Sequence, residues 1–271
     1  HQKIHAAPPA YLKQLIKKGK VTSCSGVLTS SQSLVAVDEV QLPDSGRLLE
    51  LLAAPVPLVT ALGILYESRE ILVVDKPAGL AIHSSQVHET DNLTARVEQL
   101  LRERGLKFQV APVHRLDLET SGPVLFGKGK DACGRLGQLF MRQEVDKYYR
   151  ALVVGKTAGS GRLESPVVAK GKEKAARTDF RALARNENAS LLELQLHTGR
   201  QHQIRKQLAE QGHPLFGDQR YQGPCPEELP RMFLHCCRLS FTYPFSAAPI
   251  EIESPLPEEL AAFLPTVGLC L

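Results

Sequence analysis

Short apolar runs bounded by charged or turn-forming residues mark the strands of the larger part of the chain. Ile71 to Val74 is a continuous apolar run that stops at Asp75-Lys76-Pro77, which is typical of a buried strand. Apolar runs or alternating patterns predict further strands over residues 124–126, 148–154, 176–184, 192–196, 239–243 and 250–252. Residues 131–144 are predicted to be helical. Strands in clusters with few helices indicate an α+β fold rather than a regular alternation of strands and helices.

The most clearly marked helix is predicted between Thr198 and Gly212. Thr198 and Gln201 match a capping box, and Gly212 stands where a left-handed residue commonly ends a helix. His202 and Arg205 are three residues apart, so both side chains are expected on one face of this helix.

The start of the chain has a different pattern. Residues 11–20 are predicted to form a short amphipathic helix with apolar residues on one face and lysines on the other. Small strands and turns follow, and the proline-containing stretch 43–60 is typical of a linker. We therefore expect a small domain over residues 1–55 and a larger one over residues 61–271.

Charge and cysteine usage narrow the class of protein. The net charge is +4, which is basic but lower than expected for a protein that coats nucleic acid without regard to sequence. Local basic patches on a folded enzyme fit better. The six cysteines contain no C-x-x-C pair, so neither zinc-site spacing nor a disulfide framework is indicated, and a cytosol-like compartment is expected. No run of 18 apolar residues predicts a membrane span. The chain opens with His1 rather than Met, which leaves a preceding or removed segment open.

Asp117 lies in a polar turn directly before an apolar strand. Thr120, Ser121 and Gly122 follow it, so backbone N–H groups and hydroxyls surround the carboxylate. This setting suits a reactive carboxylate. The alternative is a turn that Asp117 stabilises by accepting hydrogen bonds.

A second polar segment, residues 197–206, carries three Arg or Lys residues and two His residues, and no acid lies between Glu193 and Glu210. Cations at a helix N-terminus oppose the helix dipole, which indicates that an anion such as phosphate is expected from outside. The alternative is an ordinary solvated helix surface. His197 and His202 are five residues apart, which does not match the spacing of paired metal ligands on a helix.

These segments together resemble the RluA family of RNA pseudouridine synthases, of the ribosomal large subunit type, over about residues 65–255. The matching motifs occur in the family's order, and they comprise Ile71 to Leu80 with His83, His114-Arg115-Leu116-Asp117 with Thr120-Ser121-Gly122, Lys147-x-Tyr149-x-Ala151, Ala176-x-Thr178-x-Phe180, Gly199 to Arg205, Gly212-His213-Pro214 and Gly217-Asp218. The resemblance implies the pseudouridine synthase fold, with a mixed, largely antiparallel sheet and a central RNA-binding cleft.

The resemblance also implies a reaction and its residues. Such enzymes isomerise uridine in RNA without cofactor or metal, by breaking the N-glycosidic bond, rotating the base and forming a C–C bond. Asp117 is implied as nucleophile or base, Arg205 as the cation that stabilises its charge, and Tyr149 as the aromatic residue beside the base. Arg115 is implied to fill the space that a flipped-out nucleotide leaves. Further RNA contacts are expected from His114, Thr120, Arg200 and His202.

The first 50 residues are similar to the small RNA-binding domain named for ribosomal protein S-four. Lys13, Lys17 and Lys18 on the basic helix would add salt-dependent affinity for the RNA backbone. This extra domain favours large-subunit ribosomal RNA of the 23S type as the substrate, with transfer RNA as the alternative. We expect a cytoplasmic monomer that does not bind a membrane.

Two other classes of protein stay open on the sequence. An RNA-binding or assembly factor of the same fold would lack the chemistry, although Asp117, Tyr149 and Arg205 are all present. A metal-dependent hydrolase would use Asp117 with His114, His197 and His202.

Overall fold

The computed structural model describes residues 14–23, 26–29, 40–43, 45–46, 62–83, 91–106, 109–169 and 172–270. Residues 14–17 are helical, and three two-residue strands follow: β1 (Thr22–Ser23), β2 (Gly26–Val27) and β3 (Val40–Gln41). They form an antiparallel sheet in the order β2-β1-β3. Lys13, the first part of the predicted helix and most of the predicted linker lie outside the described residues. The proposed division at residues 55–61 therefore stays a prediction.

Two antiparallel sheets make up the larger part of the molecule. The first has four strands in the order β4-β5-β7-β6, namely β4 (Gly63–Glu67), β5 (Ile71–Lys76), β6 (Val110–Pro112) and β7 (Gly122–Lys128). The second has six strands in the order β13-β12-β8-β11-β10-β9, namely β8 (Val145–Val154), β9 (Ser160–Ala169), β10 (Lys172–Arg185), β11 (Ala189–Leu196), β12 (Leu234–Thr242) and β13 (Pro249–Glu253). The predicted strands are confirmed, each somewhat longer than its apolar pattern, whereas β4, β6 and β9 were not predicted.

Three helices of this larger part lie between its strands, namely α1 (Leu93–Glu103), α2 (Lys130–Arg142) and α3 (Gln203–Glu210), and α4 (Glu258–Ala261) follows the last strand. Two 3-10 turns are formed by Gln219–Tyr221 and Leu264–Val267. The helix predicted over residues 131–144 is confirmed as α2. The α+β class is also confirmed, although the predicted single mixed sheet is two sheets. Their ladders are antiparallel, and one isolated parallel bridge joins Ser121 to His235.

The predicted capping box at the start of α3 is wrong. The helix begins at Gln203, its N-cap is His202 in a left-handed conformation (φ 52°), and no side chain caps it. The Thr198 hydroxyl instead donates to Oε1 of Gln203 and accepts from the backbone N–H of Arg177. Thr198 therefore joins the end of β11 to β10. The predicted left-handed residue after the helix is confirmed at Gly212 (φ 79°).

The two sheets meet where β7 begins beside β12. The backbone N–H of Cys236 donates to the carbonyl of Ser121 at 2.8 Å. Gly122 has φ 123°, and a Cβ there would lie 2.1 Å from the carbonyl oxygen of Cys236, so only glycine allows this approach. The junction fixes the loop before β7 against the six-stranded sheet, and that loop carries Asp117.

Candidate active site

The loop between β6 and β7 presents Asp117 at its turn. The N–H of Thr120 donates to the Asp117 carbonyl at 3.1 Å, and the N–H of Gly79 donates to the Leu118 carbonyl at 2.9 Å. The Asp117 backbone is thus tied to its own turn and, through Leu118, to the turn that follows β5. Its side chain is left free to face a cavity.

Lys76 reinforces the same connection from within the core. Its side chain is fully buried at the end of β5, and its ammonium donates to the carbonyls of Pro77 and Leu80 at 2.9 Å and of Leu118 at 3.0 Å. Burial lowers the pKa of Lys76 to about 7. Three carbonyl acceptors satisfy all three N–H groups of an ammonium. Lys76 therefore supports the Asp117 loop rather than the substrate.

His114 anchors the first half of this loop. Its Nε2 accepts a hydrogen bond from the backbone N–H of Leu125 at 3.1 Å, so the ring proton is assigned to Nδ1. The imidazole also stacks on Phe140, with ring centroids 4.7 Å apart. Burial, followed by the positive charge of Lys147, lowers the pKa of His114 to about 3. The ring is therefore neutral near pH 7.

Asp117 and Arg205 come together as expected, but Arg205 has a closer partner. Its Nη1 lies 3.4 Å from Oδ2 of Asp117, whereas Nε and Nη2 lie 2.7 and 2.8 Å from the two oxygens of Asp218. The Asp218 side chain is fully buried. Asp218 also accepts from the N–H of Tyr221 and so caps the 3-10 turn. Bidentate pairing orients the guanidinium and leaves one edge for Asp117.

His202 and Tyr221 complete this side of the site. His202 Nε2 lies 3.7 Å from Oδ2 of Asp117, and its Nδ1 lies 3.2 Å from the Tyr221 hydroxyl. The Tyr221 ring in turn lies under the guanidinium of Arg205, 5.2 Å from its central carbon. Burial is the largest influence on the pKa of His202, which is lowered. His202 is the N-cap and not part of α3, so the predicted shared helix face is not formed, although His202 and Arg205 both reach Asp117.

A cavity of about 770 Å³ opens beside Asp117. Tyr149 and Lys147 line it from β8, Phe140 and Met141 from the end of α2, and residues 196–205 complete its lining. Burial, followed by neighbouring Cys236 and Asp117, raises the pKa of the Tyr149 hydroxyl well above its usual range. Tyr149 is therefore a neutral phenol that can donate a proton or hydrogen bond.

Comparison with known proteins identifies the chain. A family model described as RNA pseudouridylate synthase matches residues 70–210, more than half of the chain. The chain belongs to this family. The matched region contains the Asp117 loop, β8 with Tyr149, and the whole of α3 with Arg205.

Relatives of this pseudouridylate synthase family member come from several sources. The chain is 34% identical to ribosomal large subunit pseudouridine synthase D of Nitrosomonas europaea over 226 residues, which cover 76% of this chain and 65% of that protein. It is also 34% identical to the RNA pseudouridine synthase YhcT of Bacillus subtilis over 219 residues, covering 76% and 72% of the two chains. The solved structure of human RNA pseudouridylate synthase domain containing 4 has the same fold, with a TM-score of 0.66 at 23% identity over 77% of this chain and 94% of that one.

The cavity of this family member contains most of the residues predicted to touch RNA. Arg115 is exposed, Arg200 and His202 are partly exposed, and all three line the cavity. Thr120 and His114 also line the cavity. However, Thr120 is only 2% exposed, and Nε2 of His114 already accepts a hydrogen bond from the backbone N–H of Leu125. Lys17 and Lys18 are exposed and do not line the cavity. All these RNA contacts stay predictions.

The geometry does not assemble the four residues of the hydrolase alternative. His197 lies 2.9 Å from Oδ2 of Asp179 rather than beside Asp117, and His114 Nε2 already accepts from Leu125. Among the described residues no group of three or more His, Cys, Asp and Glu side chains is placed to hold a metal ion. In that part of the chain no helix is long and apolar enough to cross a membrane.

Three residues of the pseudouridylate synthase site were not assigned a role from the sequence, namely Lys76, Asp218 and Tyr221. Lys76 and Asp218 occur in motifs quoted above, Asp75-Lys76-Pro77 and Gly217-Asp218, so their presence was visible although their roles were not. No sequence pattern pointed to Tyr221, because its contacts with Arg205 and His202 depend on the 3-10 turn that follows α3.

Proposed function

We propose that this protein is an RNA pseudouridine synthase that isomerises specific uridines in large-subunit ribosomal RNA. The observation that carries the proposal is the Asp117 carboxylate, held by Arg205 and facing a cavity that Tyr149 lines. A volume of about 770 Å³ is ample for one nucleotide. The names of the Nitrosomonas and Bacillus relatives support the reaction, and the first also supports ribosomal RNA.

The arrangement of Asp117 suits this chemistry. Arg205 and His202 both approach Oδ2, while within the described part of the chain no group donates to Oδ1. Oδ1 is therefore the oxygen that can attack C1′ of the ribose or remove a proton from the sugar. Either step breaks the glycosidic bond, and the base must then rotate before its C5 bonds to C1′. A cavity larger than the base allows this rotation.

The target nucleotide must leave its stack to reach Asp117, at a cost of a few kcal/mol. Arg115 is exposed at the cavity and can stack on the neighbouring bases with its planar guanidinium. Arg200 also lines the cavity, and its buried Nε has no hydrogen-bond partner among the described residues. A backbone phosphate would supply one. We further propose that residues 1–55 add RNA affinity, and that the enzyme acts as a cytoplasmic monomer without metal or cofactor.

The test is pseudouridine mapping by primer extension after carbodiimide treatment. Unmodified ribosomal and transfer RNA are each incubated with the protein, with Asp117→Asn and with Glu119→Gln, which changes an exposed carboxylate two residues away. We expect new stops at discrete uridines of large-subunit RNA with the parent and Glu119→Gln, and none with Asp117→Asn, which should still bind RNA.

The other outcomes separate the alternatives. Stops in transfer RNA alone would show that the alternative substrate, transfer RNA, is the correct one. If RNA binds but no stops form in either RNA, the non-catalytic RNA-binding factor becomes the better description. Stops of full intensity with Asp117→Asn would refute the role of Asp117.

A further inference from the structure

Two lysines are buried beside the active site, and their charges are satisfied to very different degrees. Lys76 donates to three carbonyls within 3.0 Å. Lys147 is 8% exposed, and its ammonium makes one hydrogen bond, 3.3 Å long, to the carbonyl of Val145. Lys147 forms no ion pair with any described carboxylate, so two of its three N–H groups have no acceptor in the described part of the chain.

The groups nearest to Lys147 do not neutralise it. Burial raises the pKa of the Cys236 thiol well above its ordinary value, so this thiol is uncharged. His114 is neutral because burial lowers its pKa. Asp146 immediately precedes Lys147 in β8, is exposed on the other face of the sheet and accepts from Gln195. A buried charge without a close partner is costly, and burial indeed lowers the pKa of Lys147.

The position of Lys147 explains which ligand could satisfy it. Val145, Lys147, Tyr149 and Ala151 share the buried face of β8, as strand alternation requires. Lys147 and Tyr149 are thus neighbours on the cavity wall, about 7 Å apart along the strand. Arg115 is exposed and Arg200 partly exposed, so both can meet phosphates that stay in water. A group that reaches Lys147 must itself be buried, which favours a nucleobase over a phosphate.

We propose that the Lys147 ammonium donates a hydrogen bond to a carbonyl oxygen of the target uracil and stabilises the negative charge that the base gains during the reaction. This rests on the proposed function. When the N1–C1′ bond breaks, its electron pair moves onto the uracil and is shared by O2 and O4. This holds whether an Asp117 oxygen bonds to C1′ or removes the C2′ proton. C5 then bonds to C1′ as the Asp117–C1′ bond breaks or as the proton taken from C2′ is returned to it, and this bond uses up the negative charge of the base. Loss of the C5 proton and gain of a proton at N1 then complete the isomerisation. Lys147 keeps its own proton throughout.

The charge on the base is greatest after bond cleavage, so Lys147 should matter more for rate than for binding. Preorganised donors at a developing anion typically contribute about 10²- to 10³-fold in rate. Lys147→Met should therefore slow conversion by about 10²-fold while RNA affinity changes by less than about threefold. Its Tm should not fall, because an unpaired buried charge is replaced by an apolar group of similar length.

The experiment measures single-turnover conversion at saturating enzyme, together with RNA Kd and Tm. The variants are Lys147→Met, Lys147→Gln and Lys147→Arg, and the control is Lys156→Met, which removes an exposed lysine paired with Glu187. We expect slow conversion in the two uncharged variants, partial recovery in Lys147→Arg and parental behaviour in the control.

Each other result overturns the inference. Parental rates in both uncharged variants would show that Lys147 does not stabilise the reacting base. Weaker RNA binding with an unchanged rate would indicate a contact to the RNA backbone. A large fall in Tm, with no recovery in Lys147→Arg, would indicate a structural lysine. If the parent protein itself converts no uridine, the proposed function is refuted, and this inference with it.

Discussion

Arg205 binds Asp218 more closely than it binds Asp117. Two hydrogen bonds of 2.7 and 2.8 Å join its guanidinium to Asp218, against one contact of 3.4 Å to Asp117. Asp218 is fully buried and also caps a 3-10 turn, so it sets the orientation of Arg205. Asp117 is thereby paired with a fixed cation through one oxygen. It can approach a substrate without breaking the buried ion pair.

Arg205→Met should abolish activity and destabilise the fold by about 3–5 kcal/mol, because it leaves the buried Asp218 carboxylate without its cation. Adding Asp218→Asn to this variant should recover much of the stability but none of the activity, since Asp117 still lacks its partner. Urea unfolding and pseudouridine mapping of the two single variants and the double variant test this. A double variant as unstable as the sum of the two single variants would show that the buried pair is not the cause.

Lys76→Met should reduce both stability and turnover. Three carbonyls lose their donor, which should cost about 3 kcal/mol or more in the free energy of unfolding, and the Asp117 loop loses its link to the turn after β5. Lys156→Met is the control, because this exposed lysine pairs only with exposed Glu187. Urea unfolding and single-turnover conversion measure the two effects. Full activity in a destabilised Lys76→Met variant would show that Lys76 stabilises the fold but is not needed to position Asp117.

Acid should destabilise the protein through His114. Its pKa is about 3 in the folded protein against 6.5 when unperturbed, so between these values the unfolded chain binds more protons. The contribution of the neutral His114 ring to the free energy of unfolding is therefore fully present above about pH 6.5 and is lost as the pH falls towards 3. The loss should reach a few kcal/mol by about pH 4. Urea unfolding across this range should show a flatter pH dependence for His114→Gln, and equal slopes would contradict the assignment.

Replacement of Lys13, Lys17 and Lys18 by Ala should weaken RNA binding and reduce its dependence on salt. Each phosphate contact that is lost lowers the slope of log K against log salt by about one. Lys17 and Lys18 are exposed, as such contacts require, and Lys13 lies outside the described residues. The control replaces Lys130 and Lys156, two exposed lysines elsewhere on the surface. A salt slope equal to that of the parent would exclude the opening helix as an RNA contact.

The strands were largely predictable because burial leaves a local pattern. β5 and β7 have apolar residues buried on both faces and therefore read as continuous apolar runs. α1 could also have been found, because Leu93, Val97 and Leu101 are spaced by four and Asn92 caps the helix. The capping box at Thr198 failed for a tertiary reason. Its hydroxyl is bonded to Arg177 and Gln203, and the helix begins only at Gln203 with His202 as its N-cap.

By itself the sequence determined the α+β class, the family resemblance and the choice of Asp117, Tyr149 and Arg205 as candidate catalytic residues, because these depend on residue types in a fixed order. Only the tertiary structure decided which carboxylate pairs with Arg205. Asp117 is 88 residues from Arg205 in the sequence, and Asp218 is 13 residues from it. The apolar periodicity of a chain gives information only on neighbours two to four residues apart. The same holds for Lys76 and Lys147. Both are buried lysines, and only the packing of the loops around them gives one three acceptors and leaves the other facing the cavity.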